Sequence, residues 1–307
     1  MSGSPHLSPH PHAPASVWAT GQRDARAQLA EGPYLPDTVQ DRTRIPPAVA
    51  AHAINRYTRP GDTVLDPQCG AGTVLVEALR SGRHAVGITE IRRWWPLARA
   101  NVTAAKRDGA ATDGMVLDGP PDLAAARLAG LTGCIGLVLT TLLPDGPLHR
   151  RTASSDTDPD SAGRSVEHLQ RALKQCHPLL QPGGHVIVVV RPCRHRGYLL
   201  NLADDVLAVG RAVGLVPVEK CIALLAELQG DRLILAASTA RRRSAARHQS
   251  STGRPITLTA HQDVLIFQAS NAAASQAANC RPQNMLRPAH LDPLPGLEER
   301  VLEGYAA

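Results

Sequence analysis

Apolar positions in this chain fall into short continuous runs separated by stretches with helical spacing. The runs are DTVLDP (62–67), HAVGIT (84–89), GMVLD (114–118), IGLVLTT (135–141), GHVIVVV (184–190), LVPVEKCIALL (215–225) and QDVLIF (262–267). The early ones are Val/Ile-rich without polar alternation, as parallel strands buried on both faces require. Helical patterns intervene at 72–81, 92–107, 165–179 and 198–213. Alternation at this spacing predicts an α/β fold, a doubly wound and mostly parallel seven-stranded sheet. The predicted domain spans 17–270, between a Ser/Pro/His-rich tail at 1–16 and a Pro-broken tail at 271–307, both expected to be flexible. Two connections are long, 142–164 and 229–260, and long loops in compact α/β domains tend to carry function.

Composition changes this picture in a few places. With one Phe, three Trp and four Tyr in 307 residues, the core must be aliphatic. The six cysteines show no C-x-x-C spacing, and no His pair completes a zinc pattern, so reduced and mostly buried thiols are expected. The N-terminus lacks a charged region followed by an apolar core, and no run of ~18 apolar residues is present. A cytoplasmic protein without a membrane segment is the expectation. The net charge of +6 is compatible with a phosphate-bearing partner and equally with a solvated basic surface.

The most informative stretch is TVLDPQCGAGTVLVEAL (63–79). A strand ends at Asp66, passes through Gly70-Ala71-Gly72 and opens a helix at Thr73. Glycines allow positive φ and close backbone approach to a ligand, and the helix start presents N–H groups to a polar or anionic one. The absence of a third glycine argues against a dinucleotide fingerprint, and the absence of Gly-Lys-Ser/Thr against a P-loop.

The segment D-P-x-C-G-x-G-T followed by L-V-E-A resembles the cofactor motif of nucleic-acid amino-methyltransferases. These are the DNA cytosine-N4/adenine-N6 methylases and the related tRNA guanine-N2 methylases. The resemblance covers about residues 34–268 and implies a Rossmann-like methyltransferase fold binding S-adenosyl-L-methionine. It implies that Asp66, Pro67, Cys69, Gly70, Ala71, Gly72 and Thr73 line the cofactor's methionine end. A ribose-binding acid should end the second strand. The usual position, two residues after Gly87, is Thr89, and the carboxylate is Glu90, one place later. Asp118, ending the third strand, is placed either to accept from the adenine amino group or to cap the loop before Pro120. Trp94 and Trp95 either flank the adenine or pack in the core.

The family's catalytic loop after the fourth strand reads Asp, Asn or Ser, then Pro-Pro and an aromatic. The polar residue and a carbonyl accept from the target amino group, and the aromatic stacks on the extruded base. Here the stretch is LVLTTLLPDGP (137–147), with Thr141 in the polar position and Pro144 and Asp145 following. The aromatic is missing. Upstream, QDRTRIPP (40–47) puts Asp41 and Arg42 where the family has His-Pro, with Arg44 in place of Lys. The resemblance thus implies methyl transfer to an exocyclic amino group of a base, in DNA rather than tRNA. The partner nucleic acid would meet the basic loops and Arg191, Arg194 and Arg196. The departures make the competing expectation a catalytically inactive protein that binds nucleic acid or a protein partner.

Overall fold

In the computed structural model, residues 15–119, 129–142, 159–196, 198–235, 239–253 and 257–270 are described. Their central strands bear out the apolar runs: β2 (Thr63–Asp66) and β3 (His84–Thr89) are buried at every residue. β5 (Ile135–Leu142) and β6 (Leu180–Val190) are buried over most of their length. With β1 (Val17–Trp18), β4 (Gly114–Asp118), β9 (Leu215–Leu224) and β12 (His261–Ala269), they form an eight-stranded sheet in the order β1-β9-β12-β6-β5-β2-β3-β4. All neighbouring pairs are parallel except those of β12, which runs antiparallel to both β6 and β9. The sheet is therefore doubly wound and mostly parallel as expected. It has eight strands rather than seven because two residues of the N-terminal segment pair with the outer edge of β9.

One face is covered by α2 (Pro47–Tyr57), α3 (Thr73–Arg80) and α4 (Trp94–Arg107), with Ile54, Val74, Leu75, Ala98 and Val102 against Leu137, Leu139 and Ile187. A short α1 (Ala25–Glu31) precedes them, its first turn capped by the Asp24 carboxylate. The other face is covered by α5 (Pro159–Cys176) and α6 (Leu202–Ala212), whose Leu169, Leu173, Val206 and Val209 pack on Val138, Val186 and Val188. The chain's one Phe, Phe267, is fully buried here. Gly210 of α6 makes that possible, because a Cβ there would sit 2.2 Å from the ring.

Strand order reverses between β2 and β5, since the chain winds outward through β3 and β4 and then returns to β2's other side. In open α/β sheets a ligand crevice lies outside the carboxyl ends of the strands at such a point. Three further features stand at the same edge. β6 ends at Val190, paired with Leu142 of β5, and is followed by a small hairpin, β7 (Arg194–His195) and β8 (Tyr198–Leu199). Leu224 of β9 pairs with His261 of β12, so everything between them also projects there. That stretch, expected as a loop over 229–260, holds β10 (Ala226–Gln229), β11 (Arg232–Leu235) and a helix, α7 (Thr239–Thr252). Among the described residues Cys69, Cys176, Cys193 and Cys221 are free thiols, and Cys69, Cys176 and Cys221 are buried. No helix among the described residues is long and apolar enough to cross a membrane.

Candidate functional site

The loop from β2 into α3 is shaped by two left-handed glycines, Gly70 at φ 51° and Gly72 at φ 84°. No side chain caps α3, whose N-cap is Gly72. The loop is also crowded: a Cβ on Gly70 would lie 2.2 Å from the Asp41 carboxylate, and one on Gly72 3.3 Å from Ala98. Ala71, between the glycines, is held from both sides. Its N–H donates to Asp41 Oδ2 at 2.9 Å, and its carbonyl accepts from Asn101 Nδ2 at 2.8 Å.

Neither anchor is a free-standing surface group. Asp41 is 1% exposed, and its Oδ1 accepts from the Thr43 N–H and hydroxyl. Asn101 is fully buried, donates to Thr38 Oγ1 and accepts from the Leu35 N–H, so it ties the segment before α2 to the glycine loop. Asn101 was not singled out in the sequence. Its signal is a polar residue in the buried stripe of α4 formed by Trp94, Ala98, Asn101, Val102 and Ala105.

Electrostatically, the loop holds one ill-compensated acid. Asp66 is 5% exposed, and its one hydrogen bond among the described residues comes from the Gln68 N–H at 2.9 Å. Burial pushes its carboxyl up to about 7, helped by the charge of Asp41 and opposed by the Gln68 bond. Burial, with Asp66 and Asp41 nearby, also holds the Cys69 thiol well above its ordinary range, which removes Cys69 as a nucleophile. Buried polar atoms without a partner among the described residues include Gln68 Oε1 and Thr73 Oγ1, both in this loop. Arg44 donates to the carbonyls of Asp41 and Val39. Desolvation lowers its pKa against the opposing pull of Asp41, and Arg191 beyond β6 is close enough to add to the lowering.

The remaining candidates divide. Asp66, Pro67, Cys69, Gly70, Ala71, Gly72 and Thr73 come together by contiguity around the crevice. Asp118 ends β4 beside Thr89 of β3 and is exposed. Thr89 is buried, while the Glu90 carboxylate lies 3.5 Å from His168 Nε2 of α5. That contact meets the distance for an ion pair but lacks hydrogen-bond geometry, since His168 Nε2 remains without a hydrogen-bond partner. The carboxylate is thus turned toward the α5 side of the sheet. Trp94 is buried beneath the Arg93 guanidinium, and Trp95 donates to the Val116 carbonyl of β4 at 3.1 Å. Thr141, half-buried at the end of β5, donates to the Val189 carbonyl at 2.9 Å. Pro144 and Asp145 lie outside the described residues.

The family described as DNA methylase matches residues 6–94, a span that includes Asp41, Arg44 and the whole glycine loop. Solved structures similar to the chain include an S-adenosylmethionine-dependent methyltransferase from Methanosarcina mazei. It has a TM-score of 0.43 and 14% identity over 71% of this chain and 97% of that one. A Burkholderia thailandensis 1,6-didemethyltoxoflavin-N1-methyltransferase with bound S-adenosylhomocysteine has a TM-score of 0.42 and 16% identity over 76% and 81%. A precorrin 8w decarboxylase from Methanobacterium thermoautotrophicum has 0.44 and 17% over 77% and 97%.

Proposed function

We propose that this chain binds S-adenosyl-L-methionine and transfers its methyl group to an exocyclic amino group of a nucleic-acid base, in DNA rather than RNA. The observation that carries the reading is the glycine loop at the switch point, with a buried and under-compensated Asp66 at its mouth. The family match over that loop supports it and favours DNA.

The donor set fits such a cofactor at its methionine end. A carboxyl held near 7 by burial is a receptor for an ammonium group, whose charge restores the ionised form. An uncapped helix start receives a carboxylate. Asp118 would accept from the adenine amino group and Glu90 from the ribose hydroxyls, the latter only after turning away from His168. When bound, S-adenosylmethionine supplies an electrophilic methyl group on a sulfonium centre.

The chain's own contribution is orientation of the target nitrogen. With its proton engaged by the Val189 carbonyl, the Thr141 hydroxyl offers lone pairs and acts toward an amino group as an acceptor. Accepting from the amino group raises the nucleophilicity of its nitrogen, and the Pro144–Asp145 segment would complete the positioning. The competing reading, a fold that binds nucleic acid or a protein without methyl transfer, is favoured by the Glu90–His168 contact, which occupies the expected ribose acid.

Calorimetric titration with S-adenosylmethionine separates these readings, with Gly72→Arg as the blocked control and circular dichroism to establish that the control folds. Micromolar binding lost in the control, followed by transfer of labelled methyl to DNA, is the expected result. Cofactor binding without transfer to DNA or tRNA establishes the non-catalytic reading, and no cofactor binding removes both the cofactor and the transfer.

A further inference from the structure

One stripe of α5 is polar where it meets the sheet. Ser161, Ser165, His168 and Ala172 recur at helical spacing, and Ser161, Ser165 and Ala172 are buried. The Ser165 hydroxyl donates to the Ser161 carbonyl at 2.9 Å. His168 has no such outlet: its side chain is 16% exposed, and its Nε2 is buried without a hydrogen-bond partner among the described residues. The adjacent Leu169 and nearby Leu173 are each 1% exposed in the core, so the backbone that carries the imidazole is fixed.

The group facing this nitrogen is equally underused. Glu90 Oε1 lies 3.5 Å from His168 Nε2, and the Glu90 side chain is 26% exposed. Its carboxylate has no hydrogen bond and no second ion pair among the described residues. Its backbone, by contrast, is held at the crevice. The Ile88 carbonyl accepts from the Cys69 N–H of the glycine loop at 2.8 Å, and the Thr89 carbonyl accepts from the Gly119 N–H beyond β4 at 3.1 Å. The root of Glu90 is thus pinned between the glycine loop and the end of β4. Only side-chain torsions separate a carboxylate turned to α5 from one turned to the crevice.

We infer that His168 is a positioning residue that holds Glu90 away from the ribose site of the empty protein, so that a ligand's two ribose hydroxyls must take the carboxylate from the imidazole. This latch rests on the cofactor reading above. The exchange is favourable because little is given up. At 3.5 Å and without hydrogen-bond geometry the contact is electrostatic alone, and His168 Nε2 forgoes no hydrogen bond when the carboxylate leaves. Two hydroxyls offer a pair of charge-assisted hydrogen bonds in its place. The latch lowers apparent affinity only by the fraction of molecules in which Glu90 is free.

The test is calorimetric titration of the full chain with S-adenosylhomocysteine and with its 2′,3′-dideoxy analogue, which lacks both hydroxyls. His168→Leu and His168→Ala each raise the affinity for S-adenosylhomocysteine ~3- to 10-fold and leave that for the analogue within about twofold of the parent. His168→Gln, which keeps an N–H donor toward Glu90, stays near the parent for both ligands. In a Glu90→Gln background, His168→Leu brings no gain. Urea unfolding establishes that each variant is folded. Unchanged or weakened S-adenosylhomocysteine binding by the folded His168 variants overturns the latch while leaving the cofactor site intact. An equal gain for both ligands overturns it as well, because a loosened crevice would not distinguish them. A parent that binds neither ligand overturns the cofactor reading and the latch with it.

Discussion

Replacing Asp66 by Asn tests the electrostatic logic of the site. The Asp66 carboxyl is 5% exposed and titrates near 7 instead of the ordinary 3.8, chiefly because burial disfavours its charged form and Asp41 repels it. A rise of that size corresponds to about 4 kcal/mol for ionising the group in the folded protein, at 1.36 kcal/mol per pH unit. Because the folded state holds its proton more tightly than the unfolded chain, stability falls as pH rises from about 4 to about 7, with the full loss present above 7. Asn keeps an acceptor for the Gln68 N–H and has no charge to bury. Urea unfolding at pH 4.5 and pH 8 should therefore show the parent losing ~2–4 kcal/mol relative to Asp66→Asn across that window. Cofactor binding should behave oppositely. The parent's affinity for S-adenosylmethionine falls as pH drops below 7, where an ammonium group meets a protonated partner, and Asp66→Asn binds poorly at every pH. Parallel stability profiles for parent and variant would refute the burial argument. Equal cofactor affinity in the two would refute the assignment of Asp66 to the ammonium.

Three further outcomes follow from particular contacts. Asn101→Leu leaves the Ala71 carbonyl and the Leu35 N–H without their partner, so the midpoint of urea unfolding should fall by the equivalent of ~2–4 kcal/mol, and cofactor affinity should drop even where the variant is fully folded. Gly210→Ala drives a methyl group into the Phe267 ring, 2.2 Å from the added carbon, and should cost ~1–3 kcal/mol in thermal unfolding with no change in cofactor affinity at low temperature. Thr141→Val keeps shape but removes the acceptor, so methyl transfer should fall ~10²-fold while the calorimetric affinity for S-adenosylmethionine stays within about twofold.

The sheet was legible because strands buried on both faces need continuous apolar runs, and β3, β5 and β6 carry them without polar interruption. The glycine loop was legible because left-handed backbone at 70 and 72 demands glycine. Elements with no buried face left no such trace. The two-residue strands of the β7–β8 hairpin are too short to alternate, so Tyr198 and Leu199 read as the start of the helix expected over 198–213, which begins only at Leu202. The helix α7, TARRRSAARHQSST, has no apolar stripe, so it reads as loop. The anchors of the site were hidden for a different reason. Asp41 and Asn101 act on Ala71 across 30 residues of chain on either side, and spacing along the sequence does not encode that meeting. The choice between Thr89 and Glu90 turned on the parity of one strand. β3 places Val86 and Ile88 in the core beneath α5 and α6, and Glu90, two residues on, reaches His168 of α5.

The distribution of hydrogen bonds around the loop separates what the fold has settled from what it leaves for a ligand. The backbone of Ala71 is bound on both its N–H and its carbonyl by buried side chains that are themselves saturated, so the loop's conformation is set before anything binds. Asp66, Gln68 Oε1 and Thr73 Oγ1 are the opposite case: buried, polar and short of partners within the same few residues. An interior that needed only stability would pair such groups or replace them with apolar ones, since each unmet buried group costs ~1–3 kcal/mol. Retaining a rigid loop beside two unmet groups and a buried carboxyl with a single hydrogen bond fits a site organised for a small zwitterionic ligand. Asp41 serves both halves of this arrangement. Its carboxylate holds the loop in shape and at the same time raises the affinity of neighbouring Asp66 for positive charge.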